Sequence, residues 1–432
     1  MAIPTRQKLI RLFPCLIRFL RILRAKLVKI YYGNPSKKIK LIGITGTNGK
    51  TTTATSLYNL SNMLNHKAGL ISTINIKVEN KVFATGVTTP SSVNLNKYLA
   101  KMVKEGCEYC FMEVSSISIY QERIHGLHFY GGVFSNLTHD HLDEHHFDRV
   151  KGQKNLTDFE KYFHAKKMFF TNMPEKSFLL SNKDDAYGEK ICDSAKARKF
   201  YYSINENVDF SAKIISDEFA GMTLKINDDT INTNFTGRFN AYNILTIYST
   251  AILCGFSKEE IISTIPNLFP VEGRFDSIKS KNGVFAIIDY AHSPDALENV
   301  LTTIKEIRDR KNVGDIITVV GCGGNRDKSK RPKMAKIACE LSDKVIFTSD
   351  NPRSEDPQTI INEMMAGINN EEKTKVNQIL NRQDAIRTAY LLAKENDIIL
   401  IAGKGHEKYQ DINGTKYHFD DKEIINNYFN EL

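Results

Sequence analysis

A glycine-rich loop between an apolar strand and a helix constrains this chain more than any other segment does. In "IKLIGITGTNGKTTTATSLYNL" the loop contains Gly46, Gly49, Lys50 and Thr51. Such a loop presents backbone N–H groups and a helix N-terminus to bound phosphates, and its Lys and Thr reach the phosphates and Mg²⁺. The sequence therefore predicts a P-loop in an α/β fold, although Ile44 stands where the strict GxxxxGK[ST] pattern has its first glycine.

The rest of the chain alternates buried strands with amphipathic helices. The runs "YCFMEV", "GGVFSNL" and "SFLLSN" predict strands of one sheet, and "TLKINDDTINTNF" predicts a β-hairpin before a long helix. A second series, "FAIIDY", "DIITVVG", "KVIFTSD" and "DIILIAG", predicts a parallel Rossmann-like sheet. Since 432 residues exceed what one core organises, we predict an α/β protein with three segments. These are a basic amphipathic helix and linker (1–37), a central P-loop ATPase domain with a mixed/parallel sheet (38–270) and a C-terminal Rossmann-like α/β domain (271–432).

The N-terminal segment is basic and amphipathic. "RQKLIRLFPCLIRFLRILRAKLVKI" places apolar residues at helical spacing, with Arg and Lys between them, no acid, and a kink expected at Pro14. Charges recur too often for a membrane span. Two alternatives stay open: a helix packed on the next domain, or peripheral contact of residues 7–32 with anionic lipid at the inner face of the membrane.

Charge and cysteine content restrict the partners and the compartment. The net charge of +9 suits anionic partners, but the chain lacks a basic patch interleaved with exposed aromatic residues, so nucleic acid is not expected. Seven scattered cysteines favour a reducing cytoplasm over a disulfide framework. Cys107 and Cys110 form a lone CxxC that leads into an apolar strand, which favours core cysteines over a zinc site.

Candidate metal ligands follow two predicted strands. Glu113 ends "YCFME", and His141 follows "GGVFSNL" within the cluster "HDHLDEHH". Adjacent residues rarely all face one ion, so this cluster favours one Mg²⁺ ligand with solvated neighbours over zinc. Lys166 lies on an apolar helical stripe in "FEKYFHAKKMFF". Taken alone, that segment favours an amino group that reaches solvent, and the alternative is a desolvated amine that binds CO₂ as a metal-ligating carbamate.

An ordered set of motifs resembles the Mur ligase family, and within it the MurE type. The motifs are "GITGTNGKTTT", "TTP", "MEVSS", "NLTHDHLD", "HAK", "GRFNAYN", "EGRF", "DYAHSPDAL", "GCGGNRDKSKRP", "DNPR" and "AGKGHEKYQ", over residues 40–425. The resemblance implies a cytoplasmic ATP- and Mg²⁺-dependent amide ligase of peptidoglycan synthesis. In that reaction ATP phosphorylates a peptide carboxylate, and an incoming amine attacks the acyl phosphate.

The resemblance also implies roles for individual residues. Those at the nucleotide are Gly46, Thr47, Asn48, Gly49, Lys50, Thr51, Thr52, Asn136, Asn240, Asn243, Arg274 and Asp289. Those at Mg²⁺ are Thr51, Glu113, His141 and a carbamylated Lys166, and the catalytic set is Lys50, Glu113, His141 and Lys166. Those at the acceptor, a nucleotide-sugar peptide, are Thr88, Thr89, Ser115, Gln121 and Arg123.

Three loops at the carboxyl ends of predicted parallel strands indicate the amine site. "VVGCGGNRD", "FTSDNPR" and "LIAGKGHE" should converge, because open α/β sheets bind ligands at that edge. Arg326 and Arg353 can pair with a carboxylate, and Glu407 can receive an ammonium group. These charges fit meso-diaminopimelate, with which the resemblance associates an intact "DNPR". The residues that it implicates are Arg326, Asp350, Asn351, Arg353, Gly403 and Glu407.

Three departures from the family pattern leave the acceptor open. Family members usually carry a full uridine-nucleotide-binding domain before the P-loop, and residues 1–37 are interpreted as a truncated form of it. Two alternatives follow: the basic helix contributes to a different acceptor, lipid-linked or altered and held at the membrane, or the nucleotide end is bound weakly. Ile117 occupies a position where the family usually has His, and "FDRVKGQKN" resembles an insertion. The leading hypothesis is diaminopimelate addition to a UDP-MurNAc-L-Ala-D-Glu-type precursor. Its alternatives are lysine as the amine, a membrane-associated or pseudomurein-like acceptor, and a P-loop NTPase that has lost ligation.

Overall fold

The computed structural model describes residues 14–138, 156–311 and 314–430. The chain divides into two compact units, and each is an α/β unit, as predicted. The first unit contains the described residues up to Ser216, together with Thr223–Asn234 and Phe239–Phe269. The second contains Asp217–Met222, Phe235–Arg238 and the residues from Pro270 onward.

The first series of elements runs from the N-terminal helix to the end of the first unit. In chain order these are α1 (Pro14–Tyr31), β1 (Lys40–Thr45), α2 (Lys50–Met63), β2 (Ala68–Ile71), β3 (Asn75–Val78), β4 (Lys81–Ala84), α3 (Ser92–Lys104), β5 (Tyr109–Glu113), α4 (Ser116–Tyr120), β6 (Gly131–Phe134), α5 (Asp158–Thr171), β7 (Phe178–Asn182), β8 (Arg198–Ser203), β9 (Phe210–Glu218), β10 (Gly221–Ile226), β11 (Asp229–Thr233), α6 (Arg238–Cys254) and α7 (Lys258–Thr264).

The register of the large sheet brings three strand ends together at the glycine-rich loop. The strand order is β11-β10-β9-β8-β7-β6-β1-β5-β2-β3-β4. β1 lies between β5 and β6 and is parallel to both, with Ile44 opposite Glu113 and Thr45 opposite Phe134. Because parallel strands end at the same edge, Glu113 and Ser135, which follows β6, lie beside the loop after β1.

The edge formed by β2, β3 and β4 was not predicted from the sequence. β2 is parallel to β5, but β3 and β4 add to it as antiparallel strands of four residues each. β4 is mostly exposed, and the turn before it includes Glu79 with a φ of +52°. Short edge strands bury little apolar surface, so their sequence pattern is weak.

The second series of elements forms the predicted Rossmann-like sheet. In chain order these are β12 (Asp276–Lys279), β13 (Phe285–Asp289), α8 (Pro294–Lys311), β14 (Ile316–Val320), α9 (Lys330–Leu341), β15 (Lys344–Phe347), α10 (Pro357–Met365), β16 (Val376–Gln378), α11 (Arg382–Leu392), β17 (Ile398–Ala402), β18 (Tyr409–Ile412), β19 (Thr415–His418) and α12 (Asp421–Asn430). The strand order is β12-β13-β17-β14-β15-β16. All neighbours are parallel except β12, which runs antiparallel to β13.

The N-terminal helix α1 packs on its unit through one side only. Ala25 is buried, and Arg18 Nε lies 2.7 Å from Glu122 Oε1. Its apolar side chains that stay exposed are Leu16, Phe19, Leu20, Leu23, Leu27 and Ile30. The predicted helix is thus present, and packing accounts for part of its surface. Pro14 is its first described residue, so the predicted kink lies outside the described residues. In the described ranges, no helix combines the length and apolar character that a membrane crossing requires.

The CxxC cysteines lie in the core, as the sequence predicts. Cys107 is 5% exposed and Cys110 is fully buried, and both belong to the apolar cluster beneath β5. Burial raises the pKa of both thiols. All seven cysteines are free, and only Cys15 is exposed.

Candidate active site

The glycine-rich loop between β1 and α2 is packed tightly against neighbouring backbone and side chains. Gly49 has a φ of +85°, and a Cβ there would lie 2.5 Å from Asn243 Oδ1. A Cβ on Gly46 would overlap the Ser135 hydroxyl. Only glycine therefore fits at both positions, and the loop keeps its backbone N–H groups accessible at the N-terminus of α2. This cradle fits a phosphate group.

Two lysine side chains converge on one carbonyl of this loop. Lys50 Nζ donates to Gly46 O at 2.9 Å and to Thr47 O at 2.6 Å. Lys166 Nζ, from α5, donates to the same Gly46 O at 2.7 Å and lies 3.4 Å from Thr45 Oγ1. Two amines beside a helix N-terminus suit an anionic ligand.

Lys166 is buried rather than exposed. It is 1% exposed, and its amino group lies 4.6 Å from the ring centroid of Tyr162. Phe169 and Phe170, on the same side of α5, pack into the core of the first unit. The expectation from the segment alone, that this amino group reaches solvent, is wrong. α5 turns its apolar face to the sheet, so the lysine extends along that face to the loop after β1.

Asn136, which follows β6, is hydrogen-bonded to the loop, and Asn243 of α6 lies beside it. Asn136 Oδ1 accepts from Asn48 N at 2.8 Å, and Asn136 O accepts from Thr47 N at 2.9 Å. On α6, Asn243 Nδ2 donates to Asn240 Oδ1 at 2.9 Å. Asn136 and Asn243 therefore lie beside the loop that contains Thr47, Asn48 and Gly49, and Thr51 and Thr52 follow in the first turn of α2.

Glu113 ends β5 as a fully buried carboxylate. Its Oε1 accepts from Thr73 N at 2.7 Å, and its Oε2 accepts from the Thr73 hydroxyl at 3.1 Å. The Thr73 hydroxyl also lies 3.1 Å from Thr88 Oγ1. Thr73 was missed from the sequence because no local motif marks a turn residue forty positions before its partner.

The predicted Mg²⁺ ligands are described only in part. Thr51 and Glu113 supply a hydroxyl and a carboxylate near the phosphate cradle, and Mg²⁺ prefers oxygen ligands. His141, with the rest of the 139–146 cluster, lies outside the described residues. Within the described ranges, no group of three or more His, Cys, Asp or Glu side chains is placed to hold a metal ion. The oxygen atoms of Thr51 and Glu113 are of the ligand type that Mg²⁺ requires, and they account for a part of its coordination.

The predicted acceptor residues form one connected network. The Thr89 hydroxyl donates to Glu113 O at 2.9 Å and accepts from Ser115 N at 3.0 Å. Arg123 Nη1 donates to Thr89 O at 2.7 Å, and its Nε and Nη2 donate to Gln121 Oε1 at 3.2 and 2.9 Å. Arg123 is thereby oriented beside the end of β5.

Arg274 and Asp289, the other two residues predicted at the nucleotide, lie close together in the second unit. Asp289 ends β13 and accepts from Phe275 N at 2.7 Å. Burial raises the pKa of Asp289 to about 6, against the opposing effect of Arg274. The Arg274 guanidinium lies 4.5 Å from the ring centroid of Tyr290.

The three loops predicted for the amine lie together at one edge of the second sheet. Gly324 N donates to Asn351 O at 2.9 Å, and Arg353 Nη1 donates to Gly324 O at 2.8 Å. Asn351 Nδ2 donates to Glu407 Oε2 at 2.7 Å, which joins the second loop to the third. Gly403 leaves room for Asp350, because a Cβ there would lie 2.5 Å from Asp350 Oδ2.

The loops place opposite charges side by side. Burial and the Asp350 carboxylate raise the pKa of Glu407. Arg353 Nη1 would lie 2.9 Å from a Cβ on Gly323, and Arg326 Cγ 3.7 Å from it, so both arginines flank this glycine. A carboxylate that can accept an ammonium group therefore lies near two guanidinium groups that can bind a carboxylate.

Sequence reasoning missed two features that support this edge. Lys404 is fully buried, with Nζ 3.2 Å from Asn351 Oδ1 and 3.6 Å from Glu407 Oε2. The β18–β19 hairpin is hydrogen-bonded to the backbone of Arg353: the Arg353 N–H donates to Asp411 O at 2.9 Å. Its signal was present: Asn413-Gly414, with φ of +51° and +82°, is a strong hairpin dipeptide.

Two family models match the chain. The Mur ligase middle domain matches residues 44–251, and the Mur ligase, glutamate ligase domain matches residues 273–405. A curated relative from Phocaeicola vulgatus, named UDP-N-acetylmuramoyl-L-alanyl-D-glutamate--2,6-diaminopimelate ligase, is 51% identical over 404 residues. That alignment covers 94% of this chain and 81% of the relative. The chain belongs to the Mur ligase family. It is therefore an enzyme of the ligase class, as its motifs predict.

Solved structures share the fold of this Mur ligase. A structure of a UDP-N-acetylmuramoyl-L-alanyl-D-glutamate--2,6-diaminopimelate ligase matches with a TM-score of 0.63 at 29% identity, over 91% of this chain and 78% of that chain. A pseudomurein peptide ligase type C from Methanothermus fervidus matches with a TM-score of 0.64 at 20% identity, over 91% and 80%. At 20% identity this second likeness shows the fold alone.

Proposed function

We propose that this Mur ligase adds meso-diaminopimelate to a UDP-N-acetylmuramoyl-L-alanyl-D-glutamate-type acceptor in cytoplasmic peptidoglycan synthesis. The observation that carries the proposal is the pairing of charges in the second unit, where Asn351 joins the Glu407 carboxylate to the loop of Arg353. An amino acid with an ammonium group and a carboxylate at its distal end matches this arrangement. The activity in the name of the Phocaeicola vulgatus relative supports it.

The reaction has two steps that balance without a redox partner. An acceptor carboxylate oxygen attacks the γ-phosphorus of ATP, so that ADP leaves and an acyl phosphate forms. The neutral amine of diaminopimelate then attacks the acyl carbon, phosphate leaves, and the amine loses a proton as the amide forms. Lys50 and the loop N–H groups bind the phosphates, and Arg123 orients the acceptor. We assign the ATP-binding domain to 38–270 and the amino-acid-binding domain to 271–432.

One Mg²⁺ would be held by Thr51, Glu113 and His141, and a carbamylated Lys166 would help to hold a second Mg²⁺. Bound Mg²⁺ supplies charge neutralisation at the phosphates during phosphoryl transfer. The position of the buried Lys166 supports the carbamate, because a carboxylate at its amino group would place a metal-ligating group beside the phosphate cradle. The carbamate would give this position a carboxylate in place of an amine.

The direct test is a ligation assay with purified protein, ATP, Mg²⁺ and the UDP-linked muramyl dipeptide. A panel of diaminopimelate, lysine and ornithine is scored by phosphate release and by product mass. A product that forms with diaminopimelate supports the proposal. Product with lysine alone would identify a different amine, and phosphate release without product would identify an NTPase.

Arg353→Ala should raise the KM for diaminopimelate and leave the KM for ATP unchanged. The loss of a charged hydrogen bond of about 1.5–3 kcal/mol corresponds to roughly 10- to 150-fold. Steady-state kinetics with each substrate varied in turn measure the effect. Arg387→Ala is a matched control, since Arg387 is an exposed arginine on α11 of the same unit. An equal rise in both KM values would contradict a role in amine selection.

The KM for diaminopimelate should rise as the pH falls through the raised pKa of Glu407. Burial and the Asp350 carboxylate raise that pKa, so Glu407 becomes protonated at a higher pH than an ordinary glutamate. The protonated group no longer attracts an ammonium group. A pH series of KM values measures the change, and Glu407→Gln should have a high KM at every pH. A pH profile that persists in Glu407→Gln would assign the titration to another group.

The exposed apolar face of α1 supports a second part of the proposal, contact with the inner face of the membrane. The face carries Leu20 and Leu27 among its apolar residues, and Lys26, an exposed basic residue of the same helix, complements anionic headgroups. The protein should float with phosphatidylglycerol vesicles, and the double variant Leu20→Glu, Leu27→Glu should not. Equal flotation with phosphatidylcholine vesicles, or by the double variant, would contradict this contact.

A further inference from the structure

A cleft of about 430 Å³ lies in the first unit beside the acceptor network. Its lining residues come from four places. They are Arg21 and Arg24 of α1, Ser91 and Ser92 at the start of α3, Gln121 and Arg123 after α4, and the β3–β4 edge with the segment 84–90 that ends and follows β4. The volume lies within the usual range of about 300–1,000 Å³ for ligand pockets. The Gln121 and Arg123 side belongs to the proposed acceptor site. The side formed by α1 has no role in the function argued so far.

An ion pair and a buried alanine hold α1 at the edge of this cleft. Arg18 Nε lies 2.7 Å from Glu122 Oε1, and Glu122 is nearly buried. Glu122 Oε2 also lies 3.1 Å from His125 Nδ1, so the carboxylate is fixed from two sides. Ala25 is 1% exposed two turns further along the helix. Arg21 lies between these two contacts, and a helix brings residues three positions apart onto one side.

The cleft carries more positive than negative charge. Among the residues that line it, Glu122 is the one carboxylate, and its Oε1 already pairs with Arg18. Arg123 directs three of its N–H groups to Thr89 O and Gln121 Oε1, so its charge lies at the wall of the cleft. Arg24 is exposed, and no hydrogen bond or ion pair engages it within the described part of the chain. Its guanidinium group can therefore bind a ligand without losing an internal partner.

The N-terminus of α3 adds a second source of positive potential. α3 is 13 residues long, and the Ser91 hydroxyl caps it by accepting from Asn94 N at 3.4 Å. The other N–H groups of the first turn have no partner within the helix. Together with the helix dipole they favour an anion at this end. Arg21 and Arg24 face the same cleft from a different element.

We propose that Arg21 and Arg24 of α1, with the N-terminus of α3, bind the diphosphate of the acyl acceptor. A diphosphate is the dense anionic group that links the sugar of such an acceptor to its carrier, and guanidinium groups bind phosphate oxygens in pairs. This inference rests on the proposed function and assigns α1 a part in acceptor binding. The peptide end of the acceptor would then lie at Arg123, and the carrier end at α1.

A comparison of two acceptors tests the assignment. The first is the UDP-linked muramyl dipeptide, and the second is the muramyl dipeptide without the diphosphate. The double variant Arg21→Ala, Arg24→Ala should raise the KM for the UDP-linked acceptor at least about tenfold, and leave kcat and the KM for the second acceptor unchanged. Lys26→Ala, an exposed basic residue of α1 outside the cleft lining, should behave as the wild type. Equal KM changes for both acceptors, or none, would overturn the proposal.

Direct binding of inorganic pyrophosphate separates this site from the ligase activity. Calorimetry in the Lys50→Ala background weakens binding at the glycine-rich loop, whose backbone N–H groups remain. In that background the two α1 substitutions should remove a part of the heat that Lys26→Ala retains. If pyrophosphate binding depends on both arginines but the wild-type protein ligates neither acceptor, the ligase function is contradicted and the anion site remains. If the wild-type protein ligates the UDP-linked acceptor but pyrophosphate binding is the same without both arginines, the ligase function stands and the proposed diphosphate site is contradicted.

The two arginines could bind a lipid headgroup phosphate in place of the acceptor diphosphate, and vesicle flotation distinguishes these two ligands. If the arginines bind the acceptor, the double variant should float with phosphatidylglycerol vesicles as well as the wild type does. If flotation is lost while the KM for the UDP-linked acceptor stays the same, the arginines bind lipid headgroups and the proposal fails.

Discussion

Lys50→Ala should reduce turnover at least about a thousandfold with every amine in the panel, because the variant removes the one P-loop amine that reaches the transferred phosphate. In the described structure Lys50 Nζ is held by two loop carbonyls, Gly46 O and Thr47 O, at 2.9 and 2.6 Å. It is therefore placed before ATP binds. The rate of phosphate release and the amount of ligated product should fall together, since phosphorylation precedes attack by any amine.

The fold should survive this substitution, which makes the activity loss interpretable. Lys50 is only partly buried, and Gly46 O keeps a second donor in Lys166 Nζ at 2.7 Å. Lys104→Ala, on the exposed side of α3, is the control for loss of a lysine in the same unit. Unchanged thermal unfolding with lost turnover is the expected result. Turnover near the wild-type rate with any amine would exclude this loop as the phosphate site.

The glycine-rich loop could be predicted because its requirements are contiguous in the sequence. Gly46, Gly49 and Lys50 lie within five positions, between a strand and a helix that each have a clear periodicity. Lys166 shows the limit of such reasoning. Its stripe on α5 predicted the helix, but the direction of its amino group depends on a loop 120 positions earlier. Only the packed structure shows that the lysine has no route to solvent.

Long-range polar contacts were the features that the sequence concealed. Arg331 is the second residue of α9, and Arg382 is the first residue of α11. Charged residues at the start of a helix are usually exposed, yet both arginines are almost completely buried. Arg331 Nη1 lies 2.9 Å from Glu355 Oε2 and 2.6 Å from Glu363 Oε2. Its Nη2 donates to Gly323 O at 3.3 Å, beneath the predicted amine loop. A charge can be buried at such a point because partners distant in sequence neutralise it.

For the helix α1, the sequence predicted the helix and its apolar face but not the side on which it packs. Its leucine spacing specifies a helix and an apolar face, and both are present. The side on which it packs depends on Arg18 and Glu122, which are 104 positions apart. That contact turns Arg21 and Arg24 toward the cleft and leaves the leucines exposed. The sequence pattern left two alternatives open, packing on the next domain and contact with anionic lipid. The packed structure places two arginines at a cleft, which supports the proposed diphosphate site.

The largest effect on stability is expected at the ion pair between Arg382 and Asp421. Arg382 Nε and Nη2 donate to the two carboxylate oxygens of Asp421, each at 2.8 Å, and both side chains are fully buried. Asp421→Ala leaves a guanidinium group buried without its counter-charge. Removal of one partner of a buried pair costs about 3–5 kcal/mol, whereas an exposed pair contributes about 0–1 kcal/mol. Arg308→Ala, which breaks the partly exposed pair with Asp343, is therefore the matched control.

Hydrogen exchange at the β17 amides measures this effect in the second unit without assuming that the whole chain unfolds in one step. The double variant Arg382→Met, Asp421→Leu should recover most of the lost protection, because apolar replacements of a buried pair are often neutral. Arg382 Nη2 also donates to Ala402 O at 3.0 Å, directly before Gly403 in the predicted amine loop. Asp421→Ala should therefore raise the KM for diaminopimelate as well. Full protection in Asp421→Ala would show that the pair contributes little to the second unit.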